Sequence, residues 1–136
     1  MLARQKRLFT LGALTAVLAI FAAVPAFAGA ATKATTVNVS INAAKEFSFT
    51  LSPKAVKAGP VTFKITNKGN LPHDFKICSS NKGGTANACA GKVTAQINPA
   101  GGTATLSVTL KAGSYEYLCT VSGHAAAGMK GVLKVS

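Results

Sequence analysis

The sequence predicts an all-β protein built as a two-sheet antiparallel sandwich of about seven strands. Apolar and polar residues alternate with a period of two along most of the chain after residue 36, which is typical of half-buried strands. Clusters of Gly, Pro and Asn separate these alternating runs. Beyond the N-terminal segment, no stretch has the apolar period of a strong amphipathic helix. Together these observations predict strands joined by turns.

Each predicted strand places apolar side chains at alternate positions, so that one face is buried and the other meets solvent. The first shows the pattern in Val37, Val39 and Ile41, which are separated by Asn38 and Ser40. The predicted strands cover residues 37–41, 46–51, 61–65, a segment around Phe75 and Ile77, and residues 103–110, 115–119 and 131–135. Turn residues fall between them at 58–60, 67–70 and 98–102.

The first 28 residues have the pattern of a secretory signal peptide. A basic start with Arg4, Lys6 and Arg7 precedes an uncharged apolar run over 8–24, and an A-x-A cleavage motif ends at Ala28. The run is shorter than a comfortable transmembrane helix, so cleavage is favoured over retention as an anchor. We therefore expect removal of 1–28, a short flexible leader over 29–36 and a single domain over 37–136. The expected location is the periplasm or another space outside the cytoplasmic membrane.

The composition is strongly basic. The chain has 15 Lys and Arg against 3 acidic residues, a net charge of +12. Loss of the three basic residues in 1–28 leaves twelve Lys, no Arg and a net charge of +9. A domain of about a hundred residues is too small for a large enzyme or a multidomain receptor. The absence of Arg and the scarcity of aromatic residues disfavour nucleic acid as a partner.

Three cysteines in an exported chain leave one unpaired or require an intermolecular bond. Cys78 and Cys89 bracket a polar, glycine-rich loop that cannot order itself by packing. A disulfide between them would close a ring of about a dozen residues and stabilise the fold by about 3 kcal/mol. Cys119 is then the free thiol. If Cys119 instead paired with Cys78 or Cys89, a thiol would be left in the loop and the histidine spacing would have no use.

Cys119 begins the pattern Cys-x4-His-x4-Met, in which His124 and Met129 follow at equal intervals. His73 is the only other histidine, and Met1 is the only other methionine. Taken singly, each of these residues is more often an ordinary core or surface residue than a ligand. Together, a thiolate, two imidazoles and a thioether match the His2Cys site with an axial Met that binds blue copper, whereas structural zinc asks for four firm ligands. No carboxylate cluster indicates calcium or magnesium.

The sequence resembles the cupredoxins, the small blue copper proteins that include plastocyanin, auracyanin and azurin. Three stretches carry the resemblance across the mature domain: Ala58-Gly59-Pro60-Val61-Thr62-Phe63, Leu71-Pro72-His73-Asp74-Phe75, and Tyr117-Leu118-Cys119-Thr120-Val121-Ser122-Gly123-His124-Ala125-Ala126-Ala127-Gly128-Met129-Lys130-Gly131. The resemblance implies one type 1 copper ion, bound by His73, Cys119, His124 and Met129, in an eight-stranded Greek-key sandwich.

The resemblance also implies roles for the residues around the metal. Asp74 and Thr120 are expected to orient the ligands by hydrogen bonds that tie the two ligand-bearing loops together. Asp74 stands where the family commonly has Asn, and Ser122 stands where it often has Pro. The edge of His124 is the expected electron port. Its uncharged neighbours are expected to form a partner-docking patch: Leu71, Pro72, Ala125, Ala126 and Ala127.

The predicted function is single-electron transfer between redox partners by Cu(I)/Cu(II) cycling, without catalysis. The lysines would attract an acidic redox protein into a transient encounter. We expect a monomer, with no nucleic acid partner and no stable membrane insertion after cleavage. Two alternatives are a periplasmic or extracellular copper carrier or storage protein that uses the same ligands, and a protein that binds polyanions through its lysines. An enzyme is disfavoured, because a copper reductase or oxidase needs further ligands and both histidines are already used.

Overall fold

A computed structural model describes residues 32–136, and the predicted signal peptide lies outside the described residues. This part of the chain forms nine strands in two sheets. The first sheet contains β1 (Thr35–Asn42), β2 (Lys45–Ser52), β4 (Gly59–Lys68) and β7 (Gly102–Leu110). The second contains β3 (Ala55–Val56), β5 (Lys76–Cys78), β6 (Gly91–Val93), β8 (Gly113–Leu118) and β9 (Lys130–Val135).

The predicted all-β sandwich is confirmed. Strand order is β2-β1-β4-β7 in one sheet and β3-β9-β8-β5-β6 in the other, so the chain crosses between the sheets five times. All seven predicted strands are present, with ends shifted by a few residues. β1 begins at Thr35, so the last two residues of the expected leader belong to a strand. Within residues 32–136 no helix has the length and apolar character that crossing a membrane requires.

The sheets are mixed, which corrects the expectation of purely antiparallel pairing. β1 runs parallel to β4, with Val37 opposite Phe63, and β3 runs parallel to β9. Alternation of side chains shows which face of a strand is buried but carries no information on the direction of its neighbour. Two strands were not predicted, because β3 has two residues and the three residues of β6 are all exposed.

A cluster of four aromatic rings fills the core next to the end of the sandwich where the candidate ligands lie. Phe75 packs against Phe63 with ring centroids 5.0 Å apart and against Tyr117 at 5.7 Å. Phe49 meets Phe75 edge-on at 5.2 Å. Such edge-to-face and offset pairs add about 0.5–1.5 kcal/mol each beyond the burial of their area. The cluster therefore gives this end of the sandwich a rigid base.

The predicted disulfide between Cys78 and Cys89 is present. Cys78 also packs with Leu118 and Ala125, so the bridge contributes to a small second apolar cluster. β6 pairs with β5 directly beside the bridge, where Gly91 lies opposite Cys78. A Cβ atom at Gly91 would lie 2.1 Å from a backbone oxygen of β5, so only glycine fits there. The bridge therefore fixes both the long loop and the edge strand that follows it.

The double substitution C78S/C89S should lower the free energy of unfolding of the metal-free protein by about 3 kcal/mol, because the loop is no longer closed in the unfolded chain. Denaturant unfolding of the two proteins measures this difference. Cys119 is untouched, so copper binding should persist and serves as the control for folding. A change below about 1 kcal/mol would show that closing this loop contributes little to stability.

Candidate metal centre

His73 lies between β4 and β5, and its backbone is held on both sides. Its N–H donates to the carbonyl of Ile97 at 3.2 Å, and the N–H of Ile97 donates back at 2.6 Å. The amide of Asn67, which is fully buried, donates to the carbonyls of Ile97 and Leu71. These hydrogen bonds thereby fix the segment that carries His73.

The other three predicted ligands lie on the loop between β8 and β9. The backbone N–H of Cys119 donates to the carbonyl of Met129 at 3.0 Å, and the N–H of Met129 donates to the carbonyl of His124 at 3.0 Å. Gly123 and Gly128 have φ angles of 82° and 107°, in a region that favours glycine. The loop is therefore a closed series of tight turns that brings residues ten positions apart into contact.

Three donor atoms converge at the meeting point of these segments. His73 Nδ1 and His124 Nδ1 lie 3.1 Å apart, and Cys119 Sγ lies 3.9 Å from the first and 3.6 Å from the second. Within residues 32–136 these three residues form the only group of this kind, with all ligand atoms within 4.8 Å of one another. Met129 is completely buried in the same core cluster as Cys119. A thiol, two imidazole nitrogens and a thioether form a donor set that suits copper.

The ligands differ in their access to solvent. His73, Cys119 and Met129 are all 0% exposed, whereas His124 is only partly buried. A metal held by this group would be shielded by the fold on three sides. Its one connection to the surface would be through the imidazole of His124.

Cys119 and His124 have shifted pKa values and would therefore meet a metal in different protonation states. Burial raises the pKa of the Cys119 thiol to about 11, so the metal-free protein carries a protonated thiol at neutral pH. Burial, assisted by the nearby His73, lowers the pKa of His124 and keeps its imidazole neutral. Copper binding must therefore displace a proton from Cys119, while His124 is already prepared to coordinate.

The structure places Asp74 and Thr120 in direct contact. The backbone N–H of Thr120 donates to Asp74 Oδ1 at 2.5 Å, and the Thr120 hydroxyl donates to the other oxygen of the carboxylate. Each residue directly follows a ligand, because Asp74 comes after His73 and Thr120 comes after Cys119. Their hydrogen bonds therefore tie the two ligand-bearing segments together, the arrangement expected from the sequence.

The expected docking patch is only partly exposed. Leu71 is 40% exposed, Ala126 and Ala127 are exposed, and Pro72 is half-buried. Ala125 is 4% exposed and packs with Cys78 and Leu118, so it does not belong to this surface. The run of three alanines enters a tight turn, and the turn directs the first of them inward.

Two residues of β2 that the sequence did not single out contact the histidines. Glu46 Oε1 lies 2.8 Å from His73 Nε2. The ring of Phe47 meets the ring of His124 edge-on at a centroid distance of 5.1 Å, and Phe47 is 39% exposed although its alternation indicated a core residue. The available signal for Glu46 was its rarity, since it is one of only three acidic residues in the chain.

A family model described as copper binding proteins of the plastocyanin/azurin family matches residues 35–136. The chain belongs to this family. Copper is therefore the cofactor of the cupredoxin site, with His73, Cys119, His124 and Met129 as the ligand set. A comparison with curated protein sequences found no match.

Solved structures of cupredoxins share the fold. Auracyanin A, a "blue" copper protein from the photosynthetic bacterium Chloroflexus aurantiacus, is 24% identical with a TM-score of 0.60, and the match covers 76% of this chain and 100% of auracyanin A. Auracyanin from Roseiflexus castenholzii is 23% identical with a TM-score of 0.57, covering 76% and 98%. Rusticyanin from Thiobacillus ferrooxidans is 27% identical with a TM-score of 0.51, covering 74% and 76%.

Binding of Cu(II) to the metal-free cupredoxin should release about one proton at about pH 8, because the Cys119 thiol is protonated there and must ionise to coordinate. Titration calorimetry in buffers of different protonation enthalpy measures the number released. The affinity should rise with pH up to about 11, where the thiol ionises by itself. Binding without proton release would show that the thiol is already ionised in the metal-free protein.

The substitution Asp74→Asn should raise the midpoint potential of the copper protein. The amide keeps an oxygen acceptor for Thr120 but removes a negative charge that favours Cu(II) over Cu(I). We expect a change on the order of 59 mV, equivalent to tenfold for one electron. Voltammetry of the copper-loaded proteins measures the shift, and a lower potential in the variant would contradict it.

Proposed function

We propose that this cupredoxin is an exported, soluble carrier of single electrons that exchanges them with an acidic redox protein through the edge of His124. Copper supplies the Cu(I)/Cu(II) couple when bound. The observation that carries the proposal is the difference in burial between the ligands: three are completely buried and His124 alone is partly exposed. This arrangement hinders release of the ion while leaving a path for an electron.

The distribution of charge supports an acidic partner. Ten of the twelve lysines are exposed, whereas none of the three acidic residues is. The two half-buried lysines, Lys76 and Lys130, hydrogen-bond to the loop that the disulfide closes. Within residues 32–136 every charged side chain classed as exposed is therefore positive. Such a surface attracts acidic proteins over long range and accelerates encounter in a salt-dependent way.

Uncharged residues that neighbour His73 and His124 in the chain, together with Phe47, whose ring contacts His124, would permit close approach once the partner has arrived. We define the His124 patch as Phe47, Leu71, Pro72, Ala126 and Ala127. Phe47 and Leu71 are large apolar side chains that are 39% and 40% exposed. Small, transient interfaces suit electron-transfer encounters, since they bind weakly and separate quickly.

Export and the absence of catalysis are parts of the same proposal. The N-terminal pattern of residues 1–28 and the disulfide between Cys78 and Cys89 both fit an oxidising compartment outside the cytoplasm. Both histidines of the chain belong to the one copper site, which leaves no imidazole for a second metal centre. We therefore infer a carrier that acts as a monomer in transient complexes.

The experiment uses copper-loaded protein and tests the port with matched variants. The wild-type protein should show an intense blue band that a reductant bleaches and an oxidant restores. Leu71→Lys and Val93→Lys each add one lysine at an exposed apolar side chain, since Leu71 is 40% and Val93 44% exposed. The added positive charge attracts an acidic cytochrome in both variants, so Val93→Lys, on edge strand β6, should not slow electron transfer. Leu71→Lys should slow it about tenfold relative to Val93→Lys, because a hydrated ammonium in the His124 patch obstructs close approach.

Stopped-flow spectroscopy of the blue band measures these rates, and the midpoint potentials of both variants must match that of the wild type. Rates should fall with ionic strength for an acidic cytochrome and not for a basic one. Equal electron-transfer rates for Leu71→Lys and Val93→Lys would show that electrons do not leave through the His124 patch. Transfer of copper to a competing chelator faster than electron transfer would favour the alternative, a copper carrier.

A further inference from the structure

Glu46, the second residue of β2, has a carboxylate that receives several hydrogen bonds at the metal site. His73 Nε2 lies 2.8 Å from Oε1, and the backbone N–H of Leu71 donates to the same oxygen at 3.0 Å. The backbone N–H of Asn70 lies within hydrogen-bonding distance of both oxygens, at 3.1 Å and 2.9 Å. An edge strand of the first sheet is thereby joined to the segment that carries the ligand.

The position of Glu46 decides which nitrogen of His73 carries the proton. Nδ1 faces Cys119 Sγ and His124 Nδ1, so it is the nitrogen that must offer a lone pair to copper. A carboxylate accepts hydrogen bonds and cannot donate them, so the Nε2 that faces Glu46 must be the protonated nitrogen. Because copper needs a lone pair on Nδ1 and the carboxylate needs a proton on Nε2, only one tautomer of His73 meets both requirements.

We propose that Glu46 is a positioning residue of the copper site: its carboxylate fixes the tautomer and orientation of His73 and places a negative charge against a copper ligand. A partner of this kind raises the basicity of the imidazole and strengthens its bond to Cu(II) more than to Cu(I). The proposal rests on the copper site and not on the electron-transfer role proposed above.

The environment of the carboxylate keeps its charge directed at His73. Within residues 32–136 its only ion-pair partner within 4.0 Å is the imidazole of His73, so no lysine neutralises it. The Glu46 side chain is 14% exposed, which limits screening by solvent.

Gly69 provides the space for this carboxylate. A Cβ atom at position 69 would lie 2.3 Å from Glu46 Oε1, a distance at which the carboxylate must move. The side-chain oxygen of Asn67 accepts the N–H of Gly69 at 2.9 Å and holds the turn in place. An alanine at this position can therefore displace Glu46 without altering either Glu46 or His73.

Two variants and one matched control test the proposal. Glu46→Gln removes the charge and keeps the shape, whereas Gly69→Ala keeps the charge and displaces it. Both should weaken Cu(II) affinity by about 10- to 100-fold. Both should also raise the midpoint potential by about 59 mV, which corresponds to a tenfold change in the ratio of Cu(II) to Cu(I) affinity. Glu116→Gln is the control, because it removes the same charge from a buried residue of β8 outside this network.

The tautomer is measured independently of copper by nitrogen-15 NMR of the metal-free and Cu(I) proteins. The wild-type spectrum should show His73 protonated at Nε2, with that proton protected from exchange. Glu46→Gln and Gly69→Ala should speed its exchange about tenfold or more. Glu116→Gln should leave it unchanged.

Three results would overturn the proposal. The first is a wild-type His73 protonated at Nδ1 in the metal-free protein, which needs no variant. The second is a shift of the midpoint potential, relative to the wild type, that is no larger in Glu46→Gln and Gly69→Ala than in Glu116→Gln. The third is a loss of thermal stability in these variants with an unchanged potential, which would make Glu46 a purely structural residue. If one variant fails to fold, the other and the wild-type spectrum decide. All of these measurements remain valid if the protein carries copper and not electrons.

Discussion

The metal site requires the fold to hold His73, from the segment between β4 and β5, against three ligands on the loop between β8 and β9. The later ligands come together locally, since the Cys119–Met129 hydrogen bond closes the turns of a loop between paired strands. His73 precedes Cys119 by 46 residues and has no such local closure. Its placement relies on the whole sandwich and on hydrogen bonds to Ile97 and Glu46. These contacts come from backbone and side-chain groups of the fold itself, so folding contributes to the ordering of the site.

Two of the ligands lie two residues from an aromatic residue of the core, which is the repeat of side-chain direction in a strand. Phe75 lies two residues after His73, and Tyr117 lies two residues before Cys119. Residues two apart in extended chain point to one side, so each ligand extends the row of inward-facing rings. Phe75 and Tyr117 stack on each other beneath the site. The rigidity that an electron-transfer site needs therefore comes from the core, where small displacements are opposed by close packing.

The sequence indicated the ligands because their residue types are rare, and it indicated most strands because alternation is a local property. With two histidines and three cysteines in the chain, few combinations were open. The contacts of Glu46 and Phe47 could not be predicted in the same way. They depend on β2 lying at the sheet edge beside the ligand segments, and that position follows from the parallel pairing of β1 with β4, which alternation does not encode. Ala125 turned inward for a similar reason, because loop geometry and not composition decides its direction.

The excess of positive charge has a structural origin in where the three carboxylates lie. Glu46 and Asp74 hydrogen-bond within the copper site, and Glu116 is buried in β8, so no carboxylate side chain remains to balance the exposed lysines. Buried charges act across a medium of low dielectric constant and are weakly affected by salt, whereas exposed charges are screened over about 10 Å at 0.1 M salt. The two signs of charge therefore act on different quantities. On the proposals above, Glu46 and Asp74 act on the relative stability of the two copper states, and the exposed lysines act on how often a partner arrives. Because burial separates the two groups, we expect a change in the surface lysines to leave the potential of the site fixed, even where it alters the encounter with the proposed partner.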